Sequence, residues 1–346
     1  MKTIQEISSL RFLFIIAIFL HHTVSYTGGG YLGVEFFFIL GGFVMTLGYK
    51  DRILGSDFSY KSFIFKRIAK YYPLHWLCLA AILILLLFTG EFGKDKIGPL
   101  MVNAALLQSW VPLKTVYFSF NAPSWYLSDM LFLVGVFPFL LKGITAILKT
   151  KRRAAVFLTS LFTAYIALFI MLQDDQRHFW LYINPLVRLM DYILGILSAF
   201  LFLSLKGREM ALASSAVSLK ILMYGCLGLL IYLSIVLPPR YLMCSLIFAP
   251  LVSALLILVS LEPVGGKSVF SWKPMVFLGG FSFEIYMIHG VCLRYFDFIK
   301  NNFIGVDDKL LYVPVYLILT VLLAIACRKL FVEPVSRYLI GTDGSR

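Results

Sequence analysis

The chain has 346 residues, of which 60% are hydrophobic and only 14% charged, with a mean hydropathy of +0.88. No soluble domain of this size has enough interior to bury so much apolar surface, so the composition specifies an integral membrane protein. The net charge of +13 does not point to a nucleic-acid partner, because the basic residues are placed as membrane topology requires.

Five cysteines, Cys78, Cys226, Cys244, Cys292 and Cys327, stand singly in apolar runs. They lack the paired spacing of a zinc or redox site and read as buried free thiols; no metal ligand set is expected. The first apolar run is not followed by a small-x-small cleavage site, and His21 and His22 fall where one would lie. It therefore reads as a retained span.

Ten segments are long and apolar enough to cross a bilayer: 8–26, 31–49, 71–89, 124–141, 154–172, 185–205, 219–237, 241–260, 275–297 and 310–331. The expected fold is an all-α integral membrane protein of about ten transmembrane helices, forming a single domain over residues 1–346. The first two spans face each other across a short turn, Ser25 to Gly30. Placing both termini in the cytoplasm puts most of the 31 Lys and Arg residues on the inner side while the acidic residues divide evenly, which is the positive-inside pattern. Segment 59–70, SYKSFIFKRIAK, is too short and too charged to span, and its helically spaced apolar residues predict an amphipathic helix along the inner interface. The stretch 90–123 is the longest outer connection, of a length that suits a lid or the wall of a binding site.

Ionisable residues inside the spans carry the functional signal, since each costs about 2.5–3.5 kcal/mol to insert when charged. Arg11 lies about 16 Å below His22 on the first helix. Glu35 enters the second helix one turn from its outer end, Trp125 and Asp129 open the fourth, Arg188 and Asp191 the sixth, and His289 lies above Glu284 on the ninth. Five helices thus offer ionisable groups at similar depth. Single residues of this kind serve as inter-helix glue, and Arg188 with Asp191 has the spacing of an internal ion pair. Convergence at one depth describes a polar cavity, either catalytic or part of a transport pathway. Arg67 and Lys70, beside Lys61 and Lys66, have the chemistry to grip phosphates, and equally to touch anionic lipid heads.

The motifs resemble a known family. Arg11 followed by His22, then Gly33-Val34-Glu35 and the run to Phe43, is similar to the opening of the acyltransferase 3 family. Phe65 to Lys70 with Tyr72-Pro73, Ser124 to Asp129, Arg188 with Asp191 to Gly195, Phe281 to His289, and Val332-Glu333-Pro334 follow in the family's order. Three positions depart from the pattern: Lys70 stands for a second Arg, Gly41 for a Ser, and Asp129 for a Glu.

The resemblance implies a bacterial inner-membrane enzyme that takes an acetyl or other short acyl group from cytoplasmic acetyl-CoA and passes it to a glycan hydroxyl. O-antigen, capsule and exopolysaccharide are the acceptor types implied, with membrane lipids as the surroundings. In that scheme Arg67 and Lys70, with Arg11, hold the coenzyme. His22 acts as general base, or alternatively as acyl-carrying nucleophile, and Glu35 fixes its tautomer. His21, about 100° round the helix, is left for packing. Trp125, Asp129, Arg188, His289 and Glu284 bind the acceptor, Trp125 offering a stacking face. A proton-coupled transporter or flippase is the competing class; inverted repeats and helices broken by paired Gly or Pro would mark it, and the sequence has neither.

Overall fold

The computed structural model describes residues 4–206, 216–261, 269–305 and 309–341. Its long helices, in chain order, are α1 (Gln5–Val24), α2 (Thr27–Leu54), α3 (Tyr60–Phe88), the short α4 (Ile97–Ala104), α5 (Trp125–Ile147), α6 (Lys151–Met171), α7 (Pro185–Leu205), α8 (Ala216–Val236), α9 (Ser245–Ser260), α10 (Lys273–Gly279), α11 (Ser282–Ile299), α12 (Lys309–Cys327) and α13 (Glu333–Ile340). No strand occurs among the described residues. Among the described residues eight helices are long and apolar enough to cross a membrane, and the broken pair α10 and α11 makes up to a ninth. The expectation that no helix is broken by paired glycines is corrected: this span breaks at Gly279-Gly280, where a Cβ on Gly279 would lie 1.7 Å from the Ser8 carbonyl oxygen. The remaining expected span, 241–260, is realised as the 16-residue apolar helix α9. The five cysteines are free thiols, and all but Cys327 are buried.

The chain divides into two compact units. Residues 1–58 and 135–280 form the first, and residues 59–134 and 281–346 form the second.

In the first unit, α2 is the central helix. Its crossing with α7 is set by two glycines: a Cβ on Gly42 would sit 2.0 Å from the Tyr192 carbonyl oxygen, and one on Gly195 would sit 1.9 Å from that of Ile39. Backbones meet this closely only where side chains are absent, which is how helices associate when lipid gives no hydrophobic drive. Phe14 of α1 stacks on Phe36 of α2 with ring centroids 3.9 Å apart. The turn joining these helices is shorter than the sequence suggests. Only Ser25, in the left-handed region at φ 61°, and Tyr26 lie outside helix. Gly28 to Gly30 belong to α2 and are buried, and a Cβ on Gly28 would strike the carbonyl oxygen of Ser234 at 1.7 Å. The glycine run marks a close helix approach, not a flexible loop.

In the second unit, segment 59–70 is not a separate interfacial helix: α3 runs unbroken from Tyr60 to Phe88. Pro73 lies inside it, and proline leaves the carbonyl four residues back without a donor. Ser336 of α13 donates to that Ala69 oxygen at 2.9 Å, so the helix continues straight through the position where the charge pattern suggests a boundary.

The stretch 90–123 is also ordered, as α4 and several single turns. It does not stay at the Phe88 end of α3 but returns along it. Tyr72, His75 and Trp76 bond to the carbonyl oxygens of Ala105, Asn103 and Ala104 at 3.1, 2.8 and 3.0 Å. His75 lies about 20 Å from the Phe88 end at 1.5 Å per residue, so the connection re-enters to that depth. Leu100, Ala104 and Phe120 pack with Leu79, Ile82 and Leu86 and cover the returning chain. Irregular backbone is tolerated at membrane depth only where protein covers it or where it lines a cavity.

Candidate active site

Arg188 is the centre of the polar chemistry in the first unit. It follows Pro185 at the start of α7, where the Asn184 side chain caps the helix by accepting from the Leu186 amide at 3.0 Å. That cap fixes the first turn, and Arg188 projects inward with 1% of its surface exposed. Its Nε donates to the Tyr182 carbonyl at 2.8 Å. Its Nη1 donates to Asp191 Oδ2 at 2.6 Å, to Glu35 Oε2 at 3.0 Å and to Ser245 Oγ at 3.3 Å. The guanidinium also lies over the rings of Tyr182 and Phe38, 4.8 and 5.3 Å from their centroids.

Glu35 and Asp191 are as deeply buried as the arginine, at 2% and 0% exposure. Ser245 donates to Glu35 Oε2 at 3.2 Å, and the Ser245 amide donates to the Tyr165 hydroxyl at 2.9 Å, which itself donates to the Met243 carbonyl. Four helices, α2, α6, α7 and α9, are tied together at one point. Two carboxyls share one guanidinium nitrogen, while Glu35 Oε1 and Asp191 Oδ1 make no hydrogen bond among the described residues. Of the two Glu35 oxygens, Oε2 is taken by Arg188 and Ser245, because a buried carboxylate's strongest available partner is a guanidinium. Arg188, expected on the acceptor, is likewise bonded within this cluster.

His22 lies two residues before the end of α1, and it is exposed. It meets His21 edge to face, with centroids 4.7 Å apart. His21 is half-buried against the backbone of Gly30 and 6.5 Å from the Tyr31 ring. Arg11 is half-buried on α1.

The other residues singled out in the sequence belong to the second unit. Arg67 is half-buried with its guanidinium over the Phe63 ring at 5.4 Å, and Lys70 is exposed. Trp125 and Asp129 lie buried in the first turns of α5, with Tyr126 edge to face against Tyr286 of α11. His289 is buried on α11; its Nδ1 lies 2.5 Å from the Tyr286 carbonyl, and Tyr316 donates to its backbone oxygen. Glu284, expected with the acceptor, lies 3.9 Å from Arg328, and Arg328 also pairs with Glu333 at 3.1 Å. That local ion cluster joins α11 to α13 through the residues around the Glu333-Pro334 pair.

Sequence reasoning missed Ser245 and Tyr165, which are ordinary apolar-helix residues until the fold brings them to Glu35. It also missed His75, Asn103, Gln108 and Ser124, a buried hydrogen-bonded group in the second unit. His75 was findable: it is an imidazole inside an apolar run, the same signal that singled out His22. Among the described residues no three His, Cys, Asp or Glu side chains gather as a metal site.

These features define a multi-pass, all-α integral membrane protein with ionisable groups buried on its spans. A family model described as an acyltransferase domain matches residues 4–329, across both units. The chain belongs to the acyltransferase 3 family, and it is an acyltransferase. It is 28% identical over 280 residues to the acyltransferase MdmB of Streptomyces mycarofaciens, covering 77% of this chain and 69% of that protein. It is 22% identical over 306 residues to the putative peptidoglycan O-acetyltransferase YrhL of Bacillus subtilis (strain 168), covering 83% of this chain and 48% of that one. The chain thus spans about half the length of the second relative. No solved structure matches it significantly.

Proposed function

We propose that the protein is a membrane O-acetyltransferase of the bacterial inner membrane that moves an acetyl or other short acyl group from acyl-CoA on the cytoplasmic side to a glycan hydroxyl. The observation that carries this reading is the acyltransferase match over residues 4–329, which takes in Arg11, His22, Glu35 and Arg67 together. The name of the Bacillus relative adds support for an acetyl group and a glycan acceptor. The whole chain acts as one catalytic domain, with both termini cytoplasmic.

In this reading Arg67 and Lys70, with Arg11, hold the coenzyme phosphates, Arg67 as a fork and Lys70 as a point charge. The thin arm of the thioester rises along α3, so the charged nucleotide stays at the inner face. His22 takes the proton of the acceptor hydroxyl as that oxygen attacks the thioester carbonyl. The carbon–sulfur bond breaks, and the proton passes to the departing thiolate. Trp125, Asp129 and His289 bind the acceptor. Glu35 serves through Arg188, bracing the helix that faces α1.

The test is transfer of label from radiolabelled acetyl-CoA to a crude surface-glycan extract by the purified protein in detergent. Mass spectrometry of surface glycans from cells with and without the protein accompanies it. A glycan mass gain of one acyl unit that depends on the protein is the expected result; labelled coenzyme with no protein-dependent glycan product overturns the reading.

A further inference from the structure

The re-entrant stretch between α3 and α5 builds a second buried polar group, of which only Ser124 belongs to a motif. Asn103 is gripped from α3 by His75 and is held on its other side by its own amide, which donates to Ser119 Oγ at 2.6 Å and to the Val116 carbonyl at 3.4 Å. Those bonds leave Asn103 Oδ1 to accept from Ser124 Oγ at 3.2 Å, and Ser124 Oγ in turn accepts from Gln108 Nε2 at 3.1 Å. Asn103, Gln108 and His75 have no exposed surface, and Ser124 has 1%.

This chain of bonds fixes the chemistry at its two ends. His75 Nε2 faces a carbonyl oxygen, which can only accept, so Nε2 carries the ring proton and Nδ1 presents a lone pair. Gln108 spends its amide on Ser124, so its Oε1 is an oriented acceptor. His75 Nδ1 and Gln108 Oε1 are both fully buried, and neither has a hydrogen-bond partner among the described residues. Each is a buried acceptor held rigidly with no donor among the described residues, and a buried polar group of that kind calls for a partner. That partner must supply hydrogen-bond donors.

We propose that His75 Nδ1 and Gln108 Oε1 bind a substrate of the acyl transfer by accepting from its O–H or N–H groups, which deepens and rests on the function proposed above. Two sources share that chemistry: the amide groups of the arm of an acyl-CoA, and the hydroxyls of a sugar acceptor. Position fits the first, since His75 lies eight residues, about 12 Å, along α3 from Arg67.

The decisive variant is His75→Gln. Its amide nitrogen reaches the place of the imidazole Nε2 and keeps the donor to Asn103, but no acceptor remains at Nδ1. His75→Leu removes both, and Gln108→Met removes the second acceptor. Each full-length variant is assayed in detergent with acetyl-CoA and a chito-oligosaccharide acceptor, alongside its thermal unfolding midpoint. His75→Gln is expected to keep the wild-type midpoint and to raise one KM about tenfold, with kcat much less affected. A rise for acetyl-CoA alone assigns the amide arm, and a rise for the oligosaccharide alone assigns the sugar hydroxyls. Wild-type values of both KM in His75→Gln and Gln108→Met, with only His75→Leu destabilised, overturn the proposal and leave His75 as an anchor for the re-entrant stretch. A wild type that transfers no label counts against the acetyltransferase reading instead. Equilibrium binding of acetyl-CoA and of the oligosaccharide to the same proteins then decides the role of His75, equal affinities sinking it.

Discussion

Arg188 Nη1 lies 3.0 Å from Glu35 Oε2, joining the first turns of α7 to the N-terminal part of α2 through a contact with almost no exposed surface. The same nitrogen lies 2.6 Å from Asp191 Oδ2. Two acids and one base in hydrocarbon give the cluster an uneven charge count, and this inequality makes the three residues respond differently to substitution.

Arg188→Ala leaves two buried carboxyls facing each other without a cation, a loss of about 3–5 kcal/mol by the precedent of broken buried ion pairs. Asp191→Asn leaves one acid against one base, and the new amide oxygen still accepts from Nη1, so its cost is about 1 kcal/mol. Thermal unfolding in detergent should rank Arg188→Ala far below Asp191→Asn. Equal midpoints would show that the charge count does not govern this cluster.

The presence of this cluster was legible in the sequence, and its wiring was not. A charge in an apolar run must find a partner, which singles out Glu35, Arg188 and Asp191 without alignment or structure. Which partner each takes depends on helix rotation and crossing, set here by the approach of Gly42 and Gly195, and that information is spread over both helices. Sequence depth sets His22 and Glu35 side by side but does not reveal that Glu35 Oε2 goes to Arg188 and Ser245. The stretch 90–123 was less legible: Gly, Pro and aromatic residues mark it as a long connection, while most of the hydrogen bonds of Asn103, Ser109 and Leu106 are made to groups within the second unit. Composition records that polar groups exist, not that they are paired.

His21 and His22 are adjacent, yet their surroundings separate their roles. His22→Ala removes an exposed imidazole from the end of α1. With His22 as general base, the transfer rate falls by about 10² to 10⁴ while expression and unfolding midpoint stay put. His21→Ala removes a ring packed on Gly30 and should act on the midpoint first. Label transfer at the normal rate by His22→Ala would end its assignment as the base.

The glycine crossing of α2 and α7 gives a stability test with an internal control. Gly195→Ala forces a Cβ to within 1.9 Å of the Ile39 oxygen, so the helices must separate at a cost of at least about 1–3 kcal/mol. Gly143 of α5 has nothing within 4 Å of the corresponding position. Gly143→Ala should be neutral or stabilising by up to about 1 kcal/mol, because alanine is the better helix former. Equal losses from the two substitutions would indicate that helix packing at Gly195 is looser than the backbone distances require.

Pro73 and Ser336 form a pair whose dependence can be measured directly. Because Pro73 has no N–H, the Ala69 oxygen is served by Ser336, which ties α13 to α3 at 2.9 Å. Ser336→Ala leaves that oxygen without its donor, a loss of about 1 kcal/mol. In Pro73→Ala the helix regains its own N–H at this position, so the serine hydroxyl has less to do. The double variant Pro73→Ala/Ser336→Ala should then lose less on removal of the serine than the wild type does, a coupling of about 0.5–1 kcal/mol in a double-mutant cycle. Strictly additive midpoints would mean that Ser336 holds α13 in place independently of the proline, and that α3 passes through Pro73 by some other accommodation.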